Sequence, residues 1–152
     1  LRKTDWTKAY VVSGNTLYCP FKYRNRLINP VVEYTMVMRL SEQYLVRAEA
    51  RARQNKPADA IDDLDVVRQR AGLDPLDNSL SSEQVLMAVE QERRVELFSE
   101  WGHRWLDLKR TGRATAVLSP MKAAWQETDV LYPIPLGATR TNTNLEQNDG
   151  YN

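Results

Sequence analysis

The sequence predicts a mainly α-helical fold with a small N-terminal β-hairpin and an irregular C-terminal tail. Between residues 36 and 113, apolar side chains recur every three or four positions, the spacing of helices with one buried face. Two β-rich runs near the N-terminus flank a glycine turn, and the chain after residue 113 is rich in proline, asparagine and threonine. We therefore expect one segment of 152 residues, with a hairpin and linker at 1–35, a helical core at 36–113 and a turn-rich tail at 114–152.

Charge and cysteine content exclude several classes of function. The 21 basic and 20 acidic residues leave a net charge of +1, so no basic excess is present to bind nucleic acid. Cys19 is the only cysteine, which excludes an internal disulfide and a thiolate zinc site, and we expect it to be a half-buried strand residue. No apolar run approaches the roughly 20 residues that a membrane-spanning helix requires.

The predicted hairpin has AYVV at 9–12 and TLYC at 16–19 on either side of Ser13-Gly14-Asn15. Three aromatic residues in this region are candidates for stacking on sugar rings, although docking of the hairpin on the helical core is the simpler explanation of aromatic side chains here. These glycan-binding candidates are Trp6, Tyr10 and Tyr18.

Two helices are predicted next, at 36–54 and 58–71. The first helix would bury a stripe of apolar residues at helical spacing, namely Val37, Leu40, Tyr44, Ala48 and Ala52. The second helix would end at Gly72, which can adopt the left-handed conformation of a C-terminal cap. Small residues in both helices allow close antiparallel packing, which is similar to one tetratricopeptide-type helix pair.

A third helix has the best N-terminal signal in the chain. Ser81 and Gln84 have the spacing of a capping box, so the helix should begin at Ser82 and continue to about Trp101. A shorter helix at 103–109 should end at Gly112. We expect the tail to be irregular apart from a helical turn near 121–126.

The stretch from 92 to 113 mixes both signs of charge with large apolar side chains, unlike a helix that has one solvated face. Buried charges are costly unless they are paired, so we expect an ion network with Glu100 bound to Arg104, and Asp107 bound to Arg104 or Arg110. The predicted members are Glu92, Arg93, Arg94, Glu96, Glu100, Arg104, Asp107 and Arg110.

This stretch could in principle carry chemistry, because paired carboxylates hydrolyse glycosides and Glu100-x-x-His103 has the spacing of di-iron ligands. Neighbouring arginines would keep the carboxylates ionised, which disfavours a general acid, and the single histidine disfavours a metal site. No nucleotide-binding or acyl-transfer motif is present in the sequence. The residues alone therefore indicate a scaffold, with no cofactor, no metal and no catalytic residue.

Four pieces of sequence, in the same order, resemble the SusD/RagB family of Bacteroidetes surface lipoproteins. They are RLSEQYLVRAEARARQ at 39–54, DAIDDLDVVRQRAGL at 59–73, QERRVELFSEWGHRWLDLKRTGR at 91–113, and LYPIP at 131–135 with NTNLEQNDGY at 142–151. The resemblance covers roughly residues 31–152 and implies that this segment is the C-terminal part of a longer protein.

The resemblance also implies a function that is not enzymatic. Family members capture oligo- or polysaccharide on the extracellular face of the outer membrane and pass it to a SusC-like TonB-dependent transporter. A lipid anchor outside this segment would provide the only membrane attachment, and the segment itself would serve as helical scaffold. Two alternatives are a helical-repeat module that binds other proteins and a glycoside-processing enzyme.

Overall fold

The computed structural model describes residues 2–25, 30 and 32–151, so part of the predicted linker lies outside the described residues. A five-residue helix that the sequence did not predict, α1 (Arg2–Trp6), leads directly into the first strand. The two strands are β1 (Thr7–Val12) and β2 (Asn15–Pro20), which pair antiparallel as predicted. Ser13 and Gly14 form the turn with φ angles of 50° and 79°, the left-handed conformations that a two-residue hairpin turn requires.

The strands are far more exposed than we expected. Every residue of β1 and β2 except Thr7 is solvent-exposed, including Cys19, so the prediction of a half-buried cysteine is wrong. The prediction that apolar packing docks the hairpin on the helices also fails, because its apolar side chains remain in solvent. A two-stranded ribbon has little stability by itself, which makes its attachment at the base important.

Helix α2 (Leu40–Arg53) begins four residues later than predicted. Arg39 has an extended backbone, with φ −127° and ψ 144°, so the helix cannot include residues 36–39. The predicted apolar stripe is therefore wrong at its start, because Val37 and Leu40 are 64% and 73% exposed. The buried face instead contains Ser41, Leu45, Ala48 and Ala52.

Helix α3 (Pro57–Arg70) follows a three-residue connection and forms an antiparallel hairpin with α2, as the sequence predicted. Gly72 has φ 69°, and the N–H of Leu73 donates to the carbonyl of Arg68 to close the helix end. Asp63 is buried between the two helices and accepts three hydrogen bonds from Arg47 and one from Arg51, at 2.6–3.1 Å.

Helix α4 (Ser82–Glu96) begins at the predicted capping box, in which the Gln84 N–H donates to Ser81 Oγ and the Ser81 N–H donates to Gln84 Oε1. The predicted end of this helix is wrong, because the helix stops at Glu96 rather than near Trp101. The core lies where α2, α3 and α4 meet, and small side chains in the first two helices permit their close approach. Its buried members are Leu45, Ala48, Ala52, Ala60, Ile61, Leu64, Val67, Val85 and Val89.

The chain divides into two compact units, one up to His103 and the other from Arg104 onward. Helix α5 (His103–Arg110) is followed by Gly112, whose φ of 69° matches the predicted helix end. Short helices then occur in the tail, but the turn predicted near 121–126 is not helical. The observed ones are α6 (Ala114–Leu118), a 3₁₀ turn (Glu127–Val130) and α7 (Leu136–Thr141).

In the second unit, the two family-like pieces of the tail are bound to each other. The Gln147 side chain accepts from the Ile134 N–H at 2.7 Å and donates to the Ile134 carbonyl at 2.9 Å. Asn148 and Tyr151 donate to the carbonyls of Tyr132 and Leu131. These bonds imitate strand pairing and hold the irregular tail in place. Across the described ranges, no helix is both long enough and apolar enough to cross a membrane.

Candidate functional site

Three carboxylates at the end of α4 gather cations from distant parts of the first unit. Glu92 and Glu96 lie one helical turn apart on α4, and Glu100 reaches the same place from the turn that follows the helix. All three residues are at most 8% exposed. We call this group the carboxylate cluster; its cations are Arg2, Lys22, Arg39, Arg68 and Arg70.

Glu96 is the centre of the carboxylate cluster and is completely buried. Its carboxylate lies 3.2 Å from Arg2 Nη2 and 3.1 Å from Arg39 Nη2, and it also binds Arg70 Nη2 directly. Arg2 and Arg39 are themselves mostly buried, whereas the Arg70 side chain is 54% exposed. An isolated carboxylate in this position would be strongly destabilising, so the arginines are a condition of its burial.

Glu92 and Glu100 extend the carboxylate cluster to either side. Glu92 lies 2.5 Å from Arg2 and 3.6 Å from Arg68. Glu100 binds Lys22 Nζ at 2.5 Å and Arg39 Nε at 3.1 Å. Arg2 precedes the hairpin and Lys22 follows it, so the carboxylate cluster holds both ends of the hairpin.

The same cations explain why α4 ends where it does. The backbone carbonyl of Glu96 accepts from Lys22 Nζ at 2.6 Å and from Arg39 Nη2 at 2.8 Å. Positive side chains at the last carbonyls stabilise a helix C-terminus and replace the N–H groups of a further turn. Burial lowers the pKa of Lys22 even though its bond to Glu100 acts in the opposite direction.

The turn after α4 carries unusual backbone conformations. Ser99 and Trp101 have φ angles of 58° and 42°, which are unfavourable for residues with a Cβ atom, and Gly102 has φ 72°. The indole N–H of Trp101 donates to the carbonyl of Met36 at 2.9 Å. Together with the bonds of Glu100, this contact holds the turn against its backbone strain.

The other predicted network residues have different surroundings. Arg93 is buried and lies 4.0 Å from Glu42, and His103 Nε2 is 3.7 Å from the same carboxylate. Arg94 was expected to belong to the ion network, but it lies on the solvent face of α4 and is exposed. It forms no ion pair within residues 2–25, 30 and 32–151.

In the second unit, Asp107 Oδ1 accepts from Arg110 Nε at 2.8 Å, which is one of the two pairings the sequence allowed for Asp107. The expected bond between Glu100 and Arg104 stays a prediction. The observed partners of Glu100 come from residues 22 and 39 instead.

The geometry of the carboxylate cluster suits a structural role better than acid–base catalysis. Each carboxylate is within ion-pair distance of at least two cations, and a general acid needs the opposite surroundings, which favour the protonated form. In the part of the chain that the structure describes, no group of three acidic, histidine or cysteine side chains has the geometry of a metal site.

The three aromatic candidates do not form one surface. In the hairpin register Tyr18 faces Ala9 and Tyr10 faces Leu17, so the two tyrosines point to opposite sides of the ribbon. Trp6 lies at the base of the hairpin, where Lys22 Nζ is 4.1 Å from the ring centroid. Only Trp6 therefore borders the carboxylate cluster.

A cleft of about 520 Å³ opens beside the carboxylate cluster. It lies between α1 and two segments that precede α2, residues 22–24 and 32–36. Its volume is in the range of small-molecule binding sites. Aromatic and apolar residues share the lining with charged ones: Trp6, Lys22, Tyr23, Arg24, Val32, Glu33, Tyr34, Met36, Arg39 and Glu100. We call it the aromatic cleft.

A family model that describes the SusD family matches residues 15–151 of this sequence, which is most of the chain. The chain belongs to the SusD family. The carboxylate cluster lies mainly within this match, except that Arg2 precedes it. The resemblance of the four sequence pieces is thereby confirmed, and so is the predicted mainly helical fold with its N-terminal hairpin.

Two curated members of the SusD family illustrate the relationship. A SusD-like protein of Formosa agariphila is 31% identical over 141 residues, which cover 86% of this chain and 27% of that protein. The starch-binding protein SusD of Bacteroides thetaiotaomicron is 35% identical over 130 residues, covering 76% of this chain and 21% of that protein. The chain thus spans about a quarter of the length of these relatives.

Solved structures of the SusD family agree. A SusD-like protein from Bacteroides fragilis has a TM-score of 0.60 at 25% identity, with 73% of this chain and 25% of that chain covered. A SusD superfamily protein from Bacteroides thetaiotaomicron also has a TM-score of 0.60, at 28% identity and with 76% and 26% coverage.

Sequence reasoning found the three carboxylates but not the cations that bind them. The sequence assigns no role in the network to these cations, which are Arg2, Lys22, Arg39, Arg68 and Arg70. No helical spacing relates these residues to α4, since Lys22 lies 74 residues from Glu96 and Arg39 lies 57 residues from it. The one available signal was the spacing of Glu92, Glu96 and Glu100, which places three acidic residues on one helix face, where their burial requires several cations.

Proposed function

We propose that this chain is the C-terminal region of a longer surface protein that captures oligo- or polysaccharide for uptake. Membership in the SusD family supports this proposal, as does the similarity to the starch-binding protein SusD. The match to only about a quarter of each relative fits a region within a larger protein. This region would comprise the hairpin and linker at 1–35, the helical core at 36–113 and the tail at 114–152.

The observation that carries the scaffold role is the carboxylate cluster. It joins the hairpin base, the start of α2, the end of α3 and the end of α4 through buried ion pairs, while none of its carboxylates is arranged for catalysis. Such a group fixes the relative positions of elements at the cost of reactivity. We therefore propose a binding protein that is not an enzyme, with this region as its rigid helical support.

In this proposal the protein is held on the extracellular face of the outer membrane by a lipid outside the present segment. It would deliver the captured glycan to a SusC-like TonB-dependent transporter. Trp6, Tyr10 and Tyr18 remain proposed sugar contacts, although the opposite directions of the two tyrosines mean that they would contact different ligands or different parts of one ligand.

Titration calorimetry of the purified protein against a panel of polysaccharides tests the binding role, and reducing-sugar release tests the absence of catalysis. We expect saturable binding without turnover. Co-purification from outer membranes tests the transporter partner. Release of sugar that Glu96→Gln abolishes in a folded variant would contradict the proposal and favour the glycoside-processing enzyme.

A helical-repeat module that binds other proteins is the second candidate, because α2 and α3 form a close antiparallel pair. It predicts peptide binding on the exposed sides of this pair and no affinity for glycans. The same calorimetric titrations distinguish the two candidates.

A further inference from the structure

We propose that the aromatic cleft is a subsite for an uncharged oligosaccharide, carried by this region in addition to its role as scaffold. The inference rests on the proposed glycan-binding function and names both a site and a ligand class for it. Three properties of the aromatic cleft support it: its aromatic surface, its hydrogen-bonded walls and its balance of charge.

The aromatic surface is large and faces solvent. Tyr34 is 71% exposed and Tyr23 is 44% exposed, and Val32 and Met36 beside them are 65% and 51% exposed. A contiguous group of exposed apolar side chains in a concave site typically marks a binding surface. Flat aromatic rings offer this area at a low entropic cost and suit the apolar C–H faces of a pyranose ring.

The walls of the aromatic cleft are already fixed by hydrogen bonds. Arg24 Nη2 donates to the carbonyl of Asp5 at 2.6 Å, which ties one wall to α1. The Glu33 carboxylate accepts from the backbone N–H groups of Arg24 and Asn25 at 2.8 and 2.6 Å, which ties the two sides of the linker together. A site that is ordered before binding loses less conformational entropy when the ligand arrives.

The charges at the aromatic cleft are satisfied within the protein. Lys22 and Arg39 are bound by Glu100 and Glu96, and Glu33 is bound by two backbone N–H groups. The remaining cation of the lining, Arg24, donates to the backbone carbonyl of Asp5. An anionic ligand would have to compete with these carboxylates for Lys22 and Arg39, and with the Asp5 carbonyl for Arg24. A ligand that offers hydroxyl groups and no charge can accept and donate hydrogen bonds while leaving those pairs intact.

Calorimetric titration with neutral glucan, xylan, mannan and galactan oligosaccharides, and with oligogalacturonate as the charged comparison, tests the inference. We expect a neutral oligosaccharide to bind, and Tyr34→Ala and Tyr23→Ala each to weaken its affinity by about 3- to 10-fold. Tyr132→Ala is the matched control, because Tyr132 is 65% exposed and does not line the aromatic cleft. It should leave the affinity unchanged. Hydrogen exchange should show that the ligand protects residues 22–25 and 32–36.

The outcomes separate this inference from the proposed function. If a neutral oligosaccharide binds equally well to the Tyr23→Ala/Tyr34→Ala double variant, the subsite is wrong and the glycan-binding function stands. If no glycan binds the unaltered protein, both fail. Binding of oligogalacturonate alone would overturn the ligand class.

Discussion

Replacing Glu96 by glutamine tests the central claim that the carboxylate cluster holds the first unit together. The change keeps the size of the side chain but removes the negative charge at a completely buried position. Two of its partners, Arg2 and Arg39, have side chains only 11% and 23% exposed, so their guanidinium groups cannot become hydrated by a simple change of rotamer. Removing one member of a buried ion pair typically costs about 3–5 kcal/mol.

The expected loss lies at the lower end of that range. Arg2 retains Glu92 and Arg39 retains Glu100, which limits the uncompensated charge. Arg70 is 54% exposed and can be hydrated, so its lost pairing adds at most about 1 kcal/mol. We expect Glu96→Gln to lower the free energy of unfolding by about 3 kcal/mol and the melting temperature by roughly 10 °C.

Urea denaturation followed by far-UV circular dichroism measures this loss directly. Glu83→Gln is the matched control, because it makes the same chemical change at an exposed position on α4, where only the helix dipole is affected, by less than about 1 kcal/mol. Arg70→Gln should cost no more than about 1 kcal/mol. A loss below about 1 kcal/mol for Glu96→Gln, or an equal loss in the control, would refute the role assigned to the carboxylate cluster.

Three further predictions concern other parts of the fold. Because desolvation lowers the pKa of Lys22, the unfolded chain binds more protons as the pH approaches the usual lysine value of 10.5, so stability should rise with pH over that range. Urea titrations should show that Lys22→Met reduces this slope, and an unchanged slope would contradict the assignment. Gly150→Ala should destabilise the tail by about 1–3 kcal/mol more than Gly112→Ala in thermal melts. Both glycines have positive φ, but only a Cβ atom at position 150 would clash with a neighbour, Thr128 Oγ1 at 2.5 Å. Equal losses would argue against the clash. Ser81→Ala should cost about 1 kcal/mol in the same melts through loss of the α4 cap, and no change would show that the cap is dispensable.

Local signals in the sequence account for the parts of the fold that were predicted well. The capping box at Ser81, the helix end at Gly72 and the turn at Gly14 each depend on residues within four or five positions of one another. Helical periodicity likewise placed α3 within the helical core, because the one buried face of an amphipathic helix follows from the spacing of its apolar residues. These features need no knowledge of the rest of the molecule.

The two wrong helix boundaries have one cause, which lies outside local sequence. Arg39 adopts an extended backbone before α2 and directs its side chain to Glu96 and Glu100, so α2 begins after it. The same guanidinium and the Lys22 ammonium donate hydrogen bonds to the carbonyl of Glu96, so α4 ends at this residue instead of continuing. Both contacts join residues more than 50 positions apart. Propensity is overridden here by tertiary electrostatics.

The aromatic candidates show a similar limit. Composition placed Trp6, Tyr10 and Tyr18 together because they are close in sequence, but strand alternation separates the tyrosines onto opposite faces. The aromatic cleft instead combines Trp6 with Tyr23 and Tyr34, which follow the hairpin. Only the folded linker brings these rings to one site, so neither periodicity nor motif spacing indicates it.

The carboxylate cluster and the aromatic cleft share residues, and this links the scaffold to the proposed binding site. Lys22, Arg39 and Glu100 belong to both, and Trp6 contacts the cleft while its ring lies 4.1 Å from Lys22 Nζ. Because the cations are bound by Glu96 at the end of α4 and by Glu100 in the turn that follows, the floor of the cleft is positioned by this end of the helix. A ligand in the cleft would therefore meet a surface positioned by α4, rather than by the exposed hairpin, and changes in the cluster should alter binding through the geometry of this floor.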